Sequence, residues 1–134
     1  MIEIIQEGLP ARRFEGFTDI EAYMKRLPQA EVPAEDIFSA GVYIRQITAE
    51  AGTLLMGERH KQETCNVLLS GEMVFFPESG AEPFTLEAPA LFTSPAGAKK
   101  FAYCITSVVF ATIHANPTLE RDPVKLRRRL TLEG

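Results

Sequence analysis

The side chains with the most scope for chemistry fall in residues 57–64, a polar segment between two short apolar runs. His60 lies in this segment with Glu58, and the second histidine of the chain, His114, follows much later. Imidazole and carboxylate groups bind divalent metals when three or four of them converge on one point. Glu58 and His60 would also suit an acid–base pair. The segment therefore predicts either metal binding or proton transfer.

Alternation along an extended strand decides which of these polar side chains share a face. Glu58 and His60 would face the same side as Gln62 and Thr64, whereas the intervening residues would face the other. With Lys100 as a counter-charge, this cluster would hydrogen-bond a small polar or anionic ligand. Besides metal binding and proton transfer, the segment therefore allows a third interpretation, a ligand pocket without a metal.

Other motifs that carry chemistry are missing from the sequence. It has no Gly-x-Gly-x-x-Gly, no P-loop, no Gly-x-Ser-x-Gly and no Cys-x-x-Cys. The two cysteines, Cys65 and Cys104, fall in apolar segments without the spacing of metal ligands. We expect both to be reduced, buried thiols.

The first forty residues predict an arm, a helix and a loop. Residues 1–16 read as an extended arm or edge strand, and Thr18 reads as the N-cap of a helix that must end near Pro28. Apolar side chains recur at helical spacing at Ile20, Tyr23, Met24 and Leu27. Residues 28–40, with two prolines and several charges, predict a connecting loop.

Short strands separated by turn residues dominate the rest of the chain. We predict strands at 42–48, 53–56, 67–69, 73–76, 84–86, 90–93, 100–105 and 108–113. Ser70 and Gly71 are expected to form the turn of a hairpin between the third and fourth of these strands. Residues 119–130 predict a charged terminal helix with Pro123 near its start. The pattern is typical of an all-β sandwich or barrel.

Composition bounds the class of protein. At 134 residues the chain predicts a single domain spanning residues 1–134. A net charge of -4 argues against a nucleic-acid binder. No apolar stretch reaches the length of a membrane span, and the acidic start lacks the features of a signal peptide. We therefore expect a cytoplasmic protein with neither a nucleic-acid partner nor a membrane partner.

The β region resembles the paired motifs of the cupin superfamily. Its first motif has two histidines one residue apart, a glutamate and a glycine seven residues after it, and its second has a Pro-x-Gly turn before a histidine. When Gly71 is aligned with the last glycine of the first motif, Glu58 and His60 stand at the histidine pair and Thr64 stands at the glutamate. In the second motif, Pro95 and Gly97 form the turn and Lys100 stands at the histidine. The resemblance implies a small cupin-type barrel, a double-stranded β-helix or jelly roll, at 41–116. An N-terminal arm and helix would occupy 1–40, and a short C-terminal helix 119–131.

Within that superfamily, the chain is similar to small cupin-like proteins of phages and prophages. Those proteins have a His-Lys-His-Glu-His run, and here residues 60–64 read His-Lys-Gln-Glu-Thr. Their final Thr-Ile-His strand has its counterpart at residues 112–114. By this resemblance, His60 and His114 match histidines of those proteins, whereas Gln62 and Thr64 stand where those proteins have two further histidines. If the run binds a metal in those proteins, part of that site is lost here.

Three functions follow as expectations. The first is a non-catalytic protein that holds a small polar or anionic ligand with Glu58, His60, Gln62, Thr64 and Lys100, without a cofactor. The second is a metal-dependent cupin enzyme, an oxygenase or a sugar isomerase or epimerase, with a divalent metal on His60, Glu58 and His114. The third is a phage structural or host-interaction protein that uses the barrel as a scaffold. Exposed sheet edges and the added helices favour a homodimer, in the host cytoplasm if a phage encodes it.

Overall fold

The computed structural model describes residues 1–4 and 11–133, which form short strands and two helices. The strands are β1 (Ile2–Ile4), β2 (Arg12–Phe14), β3 (Ala34–Ser39), β4 (Val42–Ala49), β5 (Leu54–Met56), β6 (Arg59–His60), β7 (Thr64–Ser70), β8 (Glu72–Phe75), β9 (Phe84–Glu87), β10 (Ala90–Ser94), β11 (Phe101–Cys104), β12 (Val108–Ala115) and β13 (Thr131–Leu132). The helices are α1 (Phe17–Lys25) and α2 (Pro123–Leu130). Part of the predicted arm, residues 5–10, lies outside the described residues.

Two antiparallel sheets face each other and form the barrel. One has the strand order β10-β7-β12-β4-β3 and the other the order β5-β11-β8-β9. Apolar side chains from both inner faces, among them Leu68, Phe75 and Phe110, are buried together between them. The predicted all-β barrel with an N-terminal and a C-terminal helix is confirmed. Each strand predicted from residue 42 to residue 113 has an observed counterpart.

A second apolar core covers the outer face of the four-stranded sheet. β1, β2 and α1 contribute Ile4, Phe14 and Ile20, which pack with Phe101 and other side chains of that sheet. As a result all four residues of β11 are buried, because one core lies on each side of this strand. Burial on both faces explains why this strand reads as a continuous apolar run.

The helix α1 differs from the sequence prediction at its start. Its N-cap is Gly16 rather than Thr18, and Thr18 lies on the exposed side of the first turn. The backbone N–H of Glu15, just before the helix, donates to the Asp19 carboxylate at 3.1 Å. Burial of Phe17 and Ile20 in the core places the helix start two residues earlier than the capping signal alone indicates.

The prediction of a loop at residues 28–40 was wrong for its second half. Residues Ala34–Ser39 form the edge strand β3, which pairs with β4 in antiparallel register. Glu35 and Asp36 interrupt the apolar pattern there and are both exposed. Charged residues are ordinary on an edge strand, where they discourage pairing with another chain.

The predicted hairpin at Ser70 and Gly71 was also wrong. β7 pairs with β10 and β12, whereas β8 pairs with β9 and β11, so the two strands belong to different sheets. Gly71 has φ of 92° and turns the chain from one sheet to the other. A glycine at a sheet corner and a glycine in a hairpin turn have the same local sequence signal.

The C-terminal segment returns to one end of the barrel. α2 begins later than predicted, with Asp122 as N-cap and Pro123 in its first turn. Its Leu126 is fully buried, and β13 then pairs with β6, with Thr131 opposite His60. The helix is therefore attached to the barrel at the polar segment that contains His60.

Apolar side chains are exposed on the outer face of the five-stranded sheet. Leu91 on β10 is 75% exposed and Leu69 on β7 is 50% exposed, with Ile37 on β3 at the far edge. Because a second copy of the chain would bury such a face, this is where we place the predicted homodimer, which stays a prediction. In the described part of the chain, neither helix has the length and apolar character needed to cross a membrane.

Candidate functional site

A cavity of about 100 Å³ occupies one end of the barrel interior. Its floor is apolar and its upper part carries the charged and hydrogen-bonding groups. The floor residues are Ile47, Leu55, Met73, Phe75, Ala102 and Phe110. The upper residues are Arg45, Gly57, Glu58, His60, Lys100 and Thr112. We call this upper part the barrel mouth.

Strand register explains the change from apolar to polar along the barrel. The deepest row across the five-stranded sheet contains Ile47, Phe110 and Leu68 as cross-strand neighbours. Two residues further along each strand, the neighbours are Arg45, Thr112 and Asn66. In the next row, Tyr43 of β4 pairs with His114 of β12. Further across the same sheet, Thr64 of β7 pairs with Ser94 of β10. Because inward residues recur at every second position, the polar rows face the same interior as the apolar row.

The two histidines meet at this mouth. The rings of His60 and His114 lie 5.0 Å apart, and Tyr43 stacks on His114 at 5.7 Å. His114 Nε2 is 2.8 Å from Thr112 Oγ1, whereas His60 Nδ1 is buried without a hydrogen-bond partner in the described residues. Burial lowers the pKa of each histidine to about 4, and the nearby Lys100 ammonium lowers both further in the same direction. Both imidazoles are therefore neutral at pH 7.

Lys100 places a cation beside them. Its backbone carbonyl accepts from the Gly57 N–H at 2.8 Å, which fixes the start of β11 at the mouth. Its Nζ is 3.5 Å from Ser94 Oγ. Burial lowers the pKa of Lys100 to about 8, so most of the ammonium is still charged at pH 7. Within residues 1–4 and 11–133, Lys100 forms no ion pair with a carboxylate.

Glu58, the one carboxylate among the described residues that lines the cavity, is held from outside the barrel. Its carboxylate pairs with Arg127 on α2. The same end of the chain is fixed by the Lys61 N–H, which donates to the Leu130 carbonyl at 2.9 Å. A second cavity of about 430 Å³ lies between α2 and β4 and shares Arg45, Gly57 and Glu58 with the barrel cavity. The two cavities are therefore neighbours at the barrel mouth.

A larger cleft of about 780 Å³ lies between α1 and α2, outside the barrel. Three of its four cations are already paired: Arg59 with Glu78, Lys99 with Glu21 and Arg127 with Glu58. The fourth, Arg128, is exposed to solvent, where its charge is screened. The barrel mouth is therefore the better place for an anionic ligand, although the cleft is larger.

The predicted alternation along residues 58–64 holds at its two ends but not in between. Glu58 and His60 line the cavity, and Thr64 is 1% exposed on the inward face of β7. The Thr64 hydroxyl donates to the Gln62 carbonyl at 3.2 Å, however, and the Gln62 side chain is exposed to solvent. The strand β6 is only two residues long and a bend follows it, so the period of two is lost at Gln62.

The groups present do not fit a metal centre. No three side chains among His, Cys, Asp and Glu are close enough to hold an ion in the part of the chain that the structure describes. His60 and His114 are adjacent, but Glu58 is turned to Arg127, and Lys100 adds a positive charge at the same place. A cation at this position repels a metal ion, so we derive no chemistry through one.

Two side chains of the mouth, Arg45 and Thr112, were missed by the sequence prediction, as were the buried polar residues Asn66 and Ser94 beside it. Asn66 could have been found, because it stands two residues after Thr64 on the same strand and must share its inward face. Arg45 sits in a strand that reads as apolar and β-branched, and its inward direction depends on the register with β12. Ser94 is buried opposite Thr64 and follows only from the pairing of β10 with β7.

The comparisons with known proteins bear on the fold. Neither a protein family nor a curated protein matches the chain. Among solved structures, a cupin domain from Bordetella pertussis Tohama I has 17% identity and a TM-score of 0.54, covering 67% of this chain and 98% of that one. A cupin family protein with a double-stranded β-helix fold from Methanocaldococcus jannaschii has 20% identity and a TM-score of 0.55, covering 72% and 86%. A cupin superfamily protein from Desulfitobacterium hafniense DCB-2 has 17% identity and a TM-score of 0.55, covering 84% and 98%. The chain therefore has the cupin fold, the double-stranded β-helix.

Proposed function

We propose that this chain binds a small carboxylate in the barrel mouth, without catalysing a reaction on it, and that the Lys100 ammonium is the counter-charge. The observation that carries the proposal is the partial burial of Lys100 in the cavity wall without a carboxylate partner in the described residues. A buried charge is unfavourable unless it is paired and hydrogen-bonded. An anionic ligand would provide that pairing, with Arg45 as a second cation on the cavity wall.

The state of the histidines supports binding over proton transfer. A general base works best when its pKa lies near the working pH. Burial lowers the pKa of His60 and His114 to about 4, which makes both weak bases at pH 7. Glu58, the other candidate base, is paired with Arg127. Neutral imidazoles and the Thr112 hydroxyl are instead suited to hydrogen bonding a bound ligand.

The test is a titration with propionate followed through the methionine methyl groups by NMR. Met73 lines the cavity, whereas Met24 packs against the outer core and serves as an internal control. At about pH 7 we expect a saturable shift of the Met73 methyl and no shift of Met24, with sodium chloride matched to exclude a general salt effect. A Met73 signal that stays unmoved by every small carboxylate would contradict the proposal.

The pH dependence of this binding follows from Lys100. Since burial lowers the pKa of Lys100 to about 8, the ammonium loses its proton as pH rises through that value. The groups that face it are Arg45, Glu58 and the two histidines. Because burial lowers the pKa of both histidines to about 4, neither imidazole changes charge between about pH 7 and 9.5. We therefore expect propionate to bind at least about 5-fold more weakly at about pH 9.5 than at about pH 7. Equal affinity at the two pH values would exclude Lys100 as the counter-charge.

A further inference from the structure

The outward side chains of the five-stranded sheet form an apolar surface on the side away from the barrel interior. Two adjacent cross-strand rows of this surface contain Ile44, Ile113 and Cys65, and then Ala111, Val67 and Leu91. Among the described residues of these five strands, Glu35 on the edge strand β3 is the one charged side chain that points outward. An antiparallel sheet with one face in water normally alternates apolar and polar residues, so this face differs from a solvated one. We call it the outer sheet face.

The rest of the described chain packs elsewhere. The outer face of the four-stranded sheet is covered by β1, β2 and α1. The C-terminal segment lies at the barrel mouth, where β13 pairs with β6 and Arg127 pairs with Glu58. On the outer sheet face, Leu91 and Leu69 remain 75% and 50% exposed. No described element of the chain covers this face, so a cover for it would come from another molecule.

A second copy of the chain fits the outer sheet face in twist and in charge. Two sheets pack face to face with their strands about 30° apart, an angle that arises from the twist of each sheet, and a second copy has the same twist. The central strand β12 presents only apolar residues outward, and Glu35 lies at one edge. Two copies would therefore bring no like charges together at the centre of the contact.

The area of the face is sufficient for a specific contact. Five strands about 4.8 Å apart, with about six residues each at about 3.4 Å, give a face of about 500 Å². Two copies together would bury about 1,000 Å² or more, which reaches the area that a specific interface needs. The edge of the sheet is a poorer contact, because Glu35 and Asp36 on β3 discourage the pairing of another strand there.

We infer that two copies of this chain associate through the outer sheet face, with the two sheets packed face to face and Cys65 inside the contact. The contact is thus one of sheet faces rather than of sheet edges. It does not depend on the carboxylate site, because the barrel mouth lies on the opposite side of the same sheet.

A change of charge on an inner strand of the sheet tests the contact. Leu69 lies on β7, between β10 and β12, so Leu69→Glu places a carboxylate on the face and not at an edge. By sedimentation at about 100 µM, we expect the unmodified chain to have twice the mass of one chain and Leu69→Glu to be a monomer, because burying an unpaired charge is unfavourable. The matched control is Leu119→Glu, since Leu119 is 61% exposed and lies outside both sheets. This control should have the mass of the unmodified chain.

The thiol of Cys65 reports which surface is covered. It is partly exposed on the outer sheet face, whereas Cys104 is fully buried and burial raises its pKa to about 11, so Cys104 serves as an unreactive internal reference. With the neutral reagent iodoacetamide, we expect Cys65 to react about 10-fold or more slowly in the unmodified chain than in Leu69→Glu at the same concentration. Mass spectrometry of the digested protein measures both thiols.

Three results would overturn the inference. The first is a monomeric unmodified chain at about 100 µM. The second is a dimer in which Cys65 reacts as fast as in the monomer, since the contact would then lie at an edge or at another surface. The third is a folded Leu69→Glu that keeps the mass of the unmodified chain. If Leu69→Glu does not fold, the mass of the unmodified chain and a slowing of the Cys65 reaction with rising protein concentration still decide the question.

Discussion

Replacing Lys100 with methionine should weaken propionate binding by about 10- to 100-fold, the range expected when one charge-assisted hydrogen bond is lost. Methionine keeps the unbranched apolar stem and ends where the ammonium begins, so most of the cavity wall stays filled. Arg45 remains on the wall, and for that reason we expect weakened rather than abolished binding. The Met73 methyl titration measures the change directly.

The matched control is Lys125→Met on α2. This residue is exposed and does not line the barrel cavity, yet the variant loses the same unit of charge. Its propionate affinity should stay within about 2-fold of the unmodified chain, because exposed charges at a distance are screened by salt. If Lys100→Met and Lys125→Met bind propionate equally well, the ligand does not contact Lys100.

The stability of Lys100→Met gives an independent reading of the same residue. Because burial lowers the pKa of Lys100 to about 8, below the ordinary value of 10.5, the charged form destabilises the folded state at neutral pH. The variant should therefore be more stable than the unmodified chain at about pH 7, by on the order of 1–3 kcal/mol. The unmodified chain gains relative stability as pH rises from about 8 to 10.5, so the difference should shrink across that window. Urea unfolding at several pH values would show it.

Replacing Gly71 with alanine should destabilise the fold by about 3 kcal/mol or more. A Cβ atom at this position would overlap the backbone carbonyl oxygen of Ser107 and approach Thr106 Oγ1 and Val108 Cγ1 to 2.9 Å each. The backbone here also has φ of 92°, which L side chains rarely adopt. Thr106 Oγ1 accepts from the Glu72 N–H at 3.0 Å, so a shift at this corner would break a hydrogen bond as well.

Gly41→Ala separates the steric overlap from the backbone strain. Gly41 also has a positive φ, 75°, but a Cβ atom there would meet no other atom within 4 Å. This control should cost only about 1 kcal/mol, the usual penalty for the strained backbone alone. The free energies of unfolding from urea titrations give both values, and equal costs for the two variants would show that the corner at Gly71 relaxes.

The sequence predicted the elements of this fold better than their connections. Strongly apolar, β-branched strands such as β4 and β12 were found because their pattern is local. The edge strand β3 was not predicted because Glu35 and Asp36 interrupt its apolar pattern. The prediction of a hairpin at Gly71 was wrong because a turn between two sheets has the same local sequence. The pairing of strands depends on contacts between residues that are distant in sequence. The residues of the turn itself therefore do not indicate which strands will pair.

The candidate site shows the same division. His60, Glu58, Thr64, Lys100 and His114 could be named from residue type, turn spacing and resemblance, and the fold brings them to one end of the barrel. Gln62 was misplaced because the length of a strand as short as β6 is set by its pairing with β13, far along the chain. The contact between Lys100, Ser94 and Asn66 joins β7, β10 and the residue before β11, so it follows only from the way the two sheets are packed.

The burial of β11 between two cores has a consequence for hydrogen exchange. Amides that are hydrogen-bonded in a strand covered on both faces exchange with solvent only when the whole domain unfolds. The slowest amide protons of the chain should therefore belong to residues 101–104, and their exchange rates would report the global free energy of unfolding without denaturant. Because a ligand that binds only the folded chain raises that free energy by RT ln(1 + [L]/Kd), the same amides would also report the affinity of an acid at the neighbouring mouth.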